Sequence, residues 1–260
     1  MIDLSTYATQ DHERISAMVE GGEKLGEIRQ KLLQFAQVGT TFAQIEAKAQ
    51  ELILQAGAVP SFSTVPGYDW ATCTMVNDGL CHGIPNDTVI ADGDVLTVDV
   101  GLIWKGYHVD STGTRVVGTT SATKGRFLEL GRTALQKSIN KVRAGASVYD
   151  VANAMENTLK RGGAGVVEQL TGHGIGKELH MSPNIPCKAY PRDKNIFLTL
   201  GQTICVEAMY TLGSPRLVVD KDGWTYRTAD GSLSAMFEET VLVGPNGPIV
   251  LTKPTIRDII

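Results

Sequence analysis

Five side chains in this sequence have the types needed to hold and use a divalent cation, and four are carboxylates in places where carboxylates are costly. Asp99 lies inside the apolar run "LTVDVG", Asp110 in "YHVDSTGT", Glu207 in "TICVEAM" and Glu238 in "SAMFEETVLV". These runs are rich in β-branched and aromatic residues, the composition of strands, and a lone carboxylate buried in one is strongly unfavourable. His173, between glycines in "TGHGIG", adds an imidazole where the backbone can approach closely. That run opens no helix after a strand, so it is not read as a phosphate loop. Four carboxylates and one imidazole carry too much negative charge for one metal ion. They suit two, about 3.5–4 Å apart, bridged by carboxylates and activating a water. Oxygen-rich ligation with one histidine favours Mn, Fe(II) or Co and leaves Zn open.

The strands must converge for this to work. Between Thr97 and Arg115, Lys105-Gly106 is the natural two-residue turn. Trp104 then faces Tyr107, and Gly101 lies opposite Asp110. Residues two apart share a face, so Asp99 and Asp110 point the same way as diagonal neighbours, roughly 7–8 Å apart. The hairpin alone leaves three readings open: a solvated face, a basic counter-charge, or a metal.

The elements repeat along the chain. Residues 11–39 carry Ile15, Met18, Val19, Leu25, Ile28, Leu32 and Leu33 at helical spacing. Thr41 to Gln44 has the pattern of a capping box opening a second helix that stops at Gly57. Strands are expected at 73–77, 94–103 and 106–117. A helix at 123–142 follows, then "AGASVYDVANAMENTLKRGGA", which matches the earlier "VGTTFAQIEAKAQELILQAGA" at an offset of 106: Gly39 falls on Gly145, Thr41 on Ser147, Gly57 on Gly163. Further strands are expected at 166–171, 201–212 and 234–243. The same offset carries Asp99 to Cys205, two residues short of Glu207 and on the same strand face. This predicts an α+β fold: one catalytic domain, 1–260, with duplicated helix–helix–strands units (about 12–117 and 120–245) related by a pseudo-twofold around a central antiparallel sheet.

Composition narrows the class. The 260 residues are 42% hydrophobic and 20% charged, with a net charge of −4, which favours neither nucleic-acid nor membrane-surface binding. No signal-peptide pattern or membrane span is evident. Cys73, Cys81, Cys187 and Cys205 form no CxxC pair and read as reduced thiols of a cytoplasmic protein.

The stretches "VNDGLCHGIPND", "VDVGLIWKGYHVDSTGT", "GHGIGKELHMSP", "VEAM" and "KDGWTYRTADGSLSAMFEETVLV" together resemble type I, bacterial-type methionine aminopeptidases, in the creatinase/aminopeptidase group with the pita-bread fold. The resemblance implies a dinuclear metal-dependent hydrolase that removes the N-terminal methionine of nascent proteins when the second residue is small. It would be a monomeric enzyme without membrane or direct nucleic-acid contact, acting near the ribosome. By the same resemblance Asp99 holds one metal, Asp110 and Glu238 bridge both, and His173 and Glu207 hold the other. Glu207 also assists proton transfer, His82 hydrogen-bonds the scissile amide, and His180 stabilises the oxyanion. Tyr68, Cys73, Leu179 and Trp224 would line the methionine pocket. The chain departs from the usual pattern at Val65, Asp69, Leu179, Ala208, Met236 and Glu239. Two other readings compete with this one. A related enzyme of the same fold that cleaves Xaa-Pro bonds or acts on small amidines is disfavoured by "HGIP" and the short distances between motifs, and a non-catalytic binding module by the presence of all five ligands.

Overall fold

The structure is a computed structural model and describes residues 2–253. Helix α1 (His12–Phe35) buries Ile15, Met18, Leu25, Ile28 and Leu32 along one side, as the spacing predicts, but ends at Phe35 rather than near Gly39. Helix α2 (Phe42–Gln55) opens with the expected box: the Thr41 hydroxyl accepts from Gln44 N at 3.2 Å, and Gln44 Oε1 accepts from Thr41 N at 2.9 Å. Helix α3 (Ala122–Ile139) is capped by Ser121. Helix α4 (Val148–Arg161) repeats the box of α2 with Ser147 and Asp150.

The strands are β1 (Val59–Pro60), β2 (Thr72–Val76), β3 (Gly79–Cys81), β4 (Val95–Trp104), β5 (Tyr107–Val116), β6 (Gly165–Val166), β7 (Thr171–Gly174), β8 (Met181–Pro186), β9 (Thr203–Thr211), β10 (Leu217–Val219), β11 (Tyr226–Thr228), β12 (Ser234–Gly244) and β13 (Gly247–Val250). β4 pairs with β5 on one edge and with β1 and β2 on the other. A second sheet has the order β13-β12-β9-β7-β8, with β6 also on β9, and a small third sheet runs β10-β11-β3. Among the described residues every pairing of these strands is antiparallel.

The centre of the molecule is therefore two sheets meeting along β5 and β12, and threonine hydroxyls stitch the seam. Thr240 Oγ1 donates to Asp110 O at 2.8 Å and accepts from Asp110 N at 3.1 Å. Thr114 Oγ1 does the same for Met236, at 2.5 Å to O and 3.4 Å from N. α1 and α2 close one apolar core over the first sheet, with Leu96, Val98 and Leu102. α3 and α4 close the other over the second, with Met209, Tyr210 and Val241.

The backbone repeats more faithfully than the sequence offset suggests. Gly39 N bonds Ile90 O and Gly145 N bonds Leu198 O; Gly93 N bonds Val117 O and Gly201 N bonds Val243 O. The offset is 106 at residue 39 (to 145) but 108 at residue 93 (to 201). The two extra residues correct the alignment of Asp99: its counterpart is Glu207 itself, not Cys205. Cys205 is instead the counterpart of Thr97.

Candidate metal centre

The turn at Lys105-Gly106 has φ of 50° and 79°, as a two-residue hairpin with the strands' own twist requires. It sets the register in which Gly101 faces Asp110 and Asp99 faces Thr112. Within the second sheet Glu207 sits directly opposite Glu238. β4, β5, β9 and β12 thus turn Asp99, Asp110, Glu207 and Glu238 into one cavity of about 250 Å³. β7 brings His173 to its edge, with Nε2 3.5 Å from Glu207 Oε1.

All five side chains are buried. Donor atoms of Asp110, His173, Glu238 and Cys205 lie within 4.8 Å of one another. Among the described residues no lysine or arginine lines the cavity, so none of their basic side chains balances the carboxylates. Two like charges directly opposite on paired strands are unfavourable without one. Thr112 Oγ1 lies 2.7 Å from Asp99 and 2.8 Å from Glu238, yet a hydroxyl has one proton to give. Asp110 Oδ1 and Glu238 Oε1, both buried, have no hydrogen-bond partner. Burial pushes Asp99, Asp110, Glu207 and Glu238 above the ordinary carboxylate range. The negative neighbours add to that rise at Asp110, Glu207 and Glu238. Unpaired lone pairs aimed at one space fit a bound divalent cation, which reverses that electrostatic logic.

His173 is set up to join them. Its Nδ1 is 2.8 Å from Gly174 O, so the N–H is assigned there and Nε2 keeps its lone pair toward the carboxylates. Burial, with His180 nearby, holds its pKa down to about 4, leaving it neutral.

All eleven residues singled out in the sequence line this cavity: Tyr68, Cys73, His82, Asp99, Asp110, His173, Leu179, His180, Glu207, Trp224 and Glu238. The His180 ring packs edge-on against His173 at 4.5 Å. His82 has the unusual φ of 56° and touches Tyr226 ring to ring at 5.6 Å. Burial lowers the pKa of both, so each is a neutral imidazole with one N–H to donate. The Tyr68 hydroxyl is spent inside the protein, on Thr72 O at 2.8 Å with Gly83 O and Cys73 Sγ at 3.2 Å. Only its ring serves the cavity, meeting Trp224 at 5.1 Å. The four cysteines are free and buried.

Sequence reasoning did not reach Phe62, Met209, Thr112 or Cys205. Phe62 and Met209 also line the cavity. For Thr112 the signal was present: two residues beyond Asp110, it shares that residue's face.

A metallopeptidase centre on a duplicated α+β frame is what this fold and cavity define, and the chain belongs to metallopeptidase family M24, which it matches over residues 16–245. Within that family it is 33% identical over 243 residues, 94% of this chain and 97% of the relative, to a methionine aminopeptidase of Clostridium perfringens. It is 35% identical over 245 residues, 92% of each chain, to methionine aminopeptidase 1 of Mycobacterium tuberculosis. The crystal structure of a Thermotoga maritima methionine aminopeptidase superposes with a TM-score of 0.90 at 32% identity, covering 97% of this chain and all (100%) of that one. The Pyrococcus horikoshii prolidase, at TM-score 0.74 and 21% identity over 95% of this chain and 64% of its own, shares the fold.

Proposed function

We propose that this chain hydrolyses the N-terminal methionine from nascent polypeptides whose second residue is small, as a monomer in the cytoplasm near the ribosome. The observation that carries the reading is the buried convergence of four carboxylates and a neutral histidine, with no lysine or arginine among the described residues lining it, beside an apolar pocket. Asp99 would hold one divalent ion, Asp110 and Glu238 both, and His173 and Glu207 the other. Co, Mn and Fe(II) suit the donor set best, and Zn is compatible. Such ions supply a Lewis acid and lower the pKa of water.

The protein's own groups do the rest. Glu207 would take the proton of the attacking water and return it to the leaving amine. His82 and His180 each offer one N–H to the substrate amide, and His180 is the donor for the oxyanion. Phe62, Val65, Tyr68, Cys73, Leu179 and Trp224 form the apolar wall for an unbranched side chain. Tyr68 offers that side chain ring surface and no free hydroxyl.

The test is release of free methionine, followed by chromatography, from a peptide panel with Co, Mn or Fe(II) added. Met-Ala and Met-Gly peptides should be cleaved, and Met-Leu and Xaa-Pro peptides left intact. No methionine release with any of these metals overturns the reading, as does preferential cleavage of Xaa-Pro bonds.

A further inference from the structure

Glu239, where the chain departs from the family pattern, has a role on the far side of the sheet. Neighbours on a strand face opposite ways. Asp110 and Glu238 point into the cavity, so Ser111 and Glu239 point out of its back. There they meet Arg29 of α1, which is 8% exposed. Arg29 Nη1 donates to the Ser111 hydroxyl and to the Glu238 carbonyl at 3.1 Å. Arg29 Nη2 pairs with Glu239 Oε1 at 3.0 Å. Ser111 Oγ also donates to the Glu238 carbonyl, at 2.9 Å. Thr252 completes the cluster: its hydroxyl donates to Glu239 Oε2 and accepts from Thr240 N at 3.1 Å.

Glycines make room for this. A Cβ on Gly113 of β5 would come within 2.7 Å of Leu33 and 3.4 Å of the Arg29 stem. On α1, a Cβ at Gly22 would lie 2.5 Å from Leu251 O, and one at Gly26 would collide with Thr252 O. A buried guanidinium is a poor way to gain stability, because its desolvation offsets most of its pairing. What it does supply is a rigid fork of donors with fixed directions. Here the fork spans β5 and β12 at the residues beside the two carboxylates that must share metal ions.

We propose that Arg29, held by Glu239, is a positioning residue for the metal centre: from behind the seam it fixes the spacing of Asp110 and Glu238. The proposal rests on reading those two carboxylates as metal ligands, not on the identity of the peptide substrate. The experiment compares wild type with Arg29→Lys, Arg29→Met and Glu239→Gln after removal of metal by chelation. Mn(II) binding is measured by calorimetric titration, and melting is followed with and without Mn(II). Partners that orient metal ligands typically change affinity ~10–100-fold, and a loss of that size is expected for Arg29→Met. Arg29→Lys should lose less, since a point charge replaces the fork. The metal-induced rise in Tm should shrink in step with the lost affinity. Wild-type Mn(II) affinity in Arg29→Lys and Glu239→Gln, with only a lower metal-free Tm, overturns the proposal and makes the cluster a structural clasp. These two variants decide the matter if Arg29→Met does not fold. A wild type that binds no Mn(II) overturns the ligand reading with it, whereas failure to release methionine leaves the positioning result standing.

Discussion

The two halves of this molecule use one hairpin frame in different ways. In the first, β4 and β5 are joined by two residues, Lys105 and Gly106. In the second, β9 and β12 are joined by residues 212–233, which form β10 and β11 and carry Trp224 to Tyr68 of the other half. The cross-strand polar pair falls at the same place in both, but as two hydroxyls in one, Thr97 and Thr114 at 2.8 Å, and as a thiol and a hydroxyl in the other, Cys205 and Thr240 at 3.6 Å. The acids differ more. Asp99 and Glu207 correspond, but Glu238 matches Thr112, and Asp110 matches Met236. A symmetric frame thus holds an asymmetric donor set, and the open connection lets one half wall the pocket of the other.

Removing an acid that only one half possesses should have the largest effect. Glu238→Ala leaves the second hairpin with a neutral residue, as Thr112 is in the first. Activity should fall below detection and metal content should drop by elemental analysis. The metal-free protein should melt no lower than wild type, because a buried carboxylate repelled by Asp99 is gone. Full metal occupancy in this variant would break the assignment.

The next effect separates catalysis from ligation. His180→Ala should keep its metal and lose about 100- to 1,000-fold in turnover, the usual cost of one oxyanion donor, roughly 2.7–4 kcal/mol. KM should change far less, since the donor acts on developing charge. Metal loss in proportion to activity would move His180 into the ligand set.

The smallest effect tests the symmetry itself. Cys205→Thr rebuilds in the second half the hydroxyl pair of the first. The swap adds a methyl to a fully buried site, so it should cost no more than the roughly 1–3 kcal/mol of a small-to-large core change, measured by urea unfolding, and leave turnover near wild type. A large loss would show that the thiol has work the threonine of the other half lacks.

Much of this arrangement was legible in the sequence because it depends on local rules. The Lys105-Gly106 turn dictated which residues of β4 and β5 share a face, and the Thr41 and Ser147 caps marked the repeat. The exact partner of Asp99 was not legible, because two residues are added between the α4 cap and β9 and change the offset. Short strands such as β8, β10 and β13 escaped for another reason: three to six residues paired at an edge carry too little periodicity to distinguish them from loop. Arg29 read as one polar residue on an amphipathic helix. Nothing local says that glycines on α1 and β5 let it sink between two sheets.

The backbone of His82 carries one more consequence. A non-glycine residue at φ of 56° occupies a sparsely populated conformation that costs of order 1 kcal/mol or more. Within the described residues its ring makes no hydrogen bond and meets the Tyr226 ring edge-on at 5.6 Å. In the role proposed above, this imidazole would have no protein hydrogen bond to give up before taking a substrate amide, and the cost of its unusual backbone would already have been met when the chain folded.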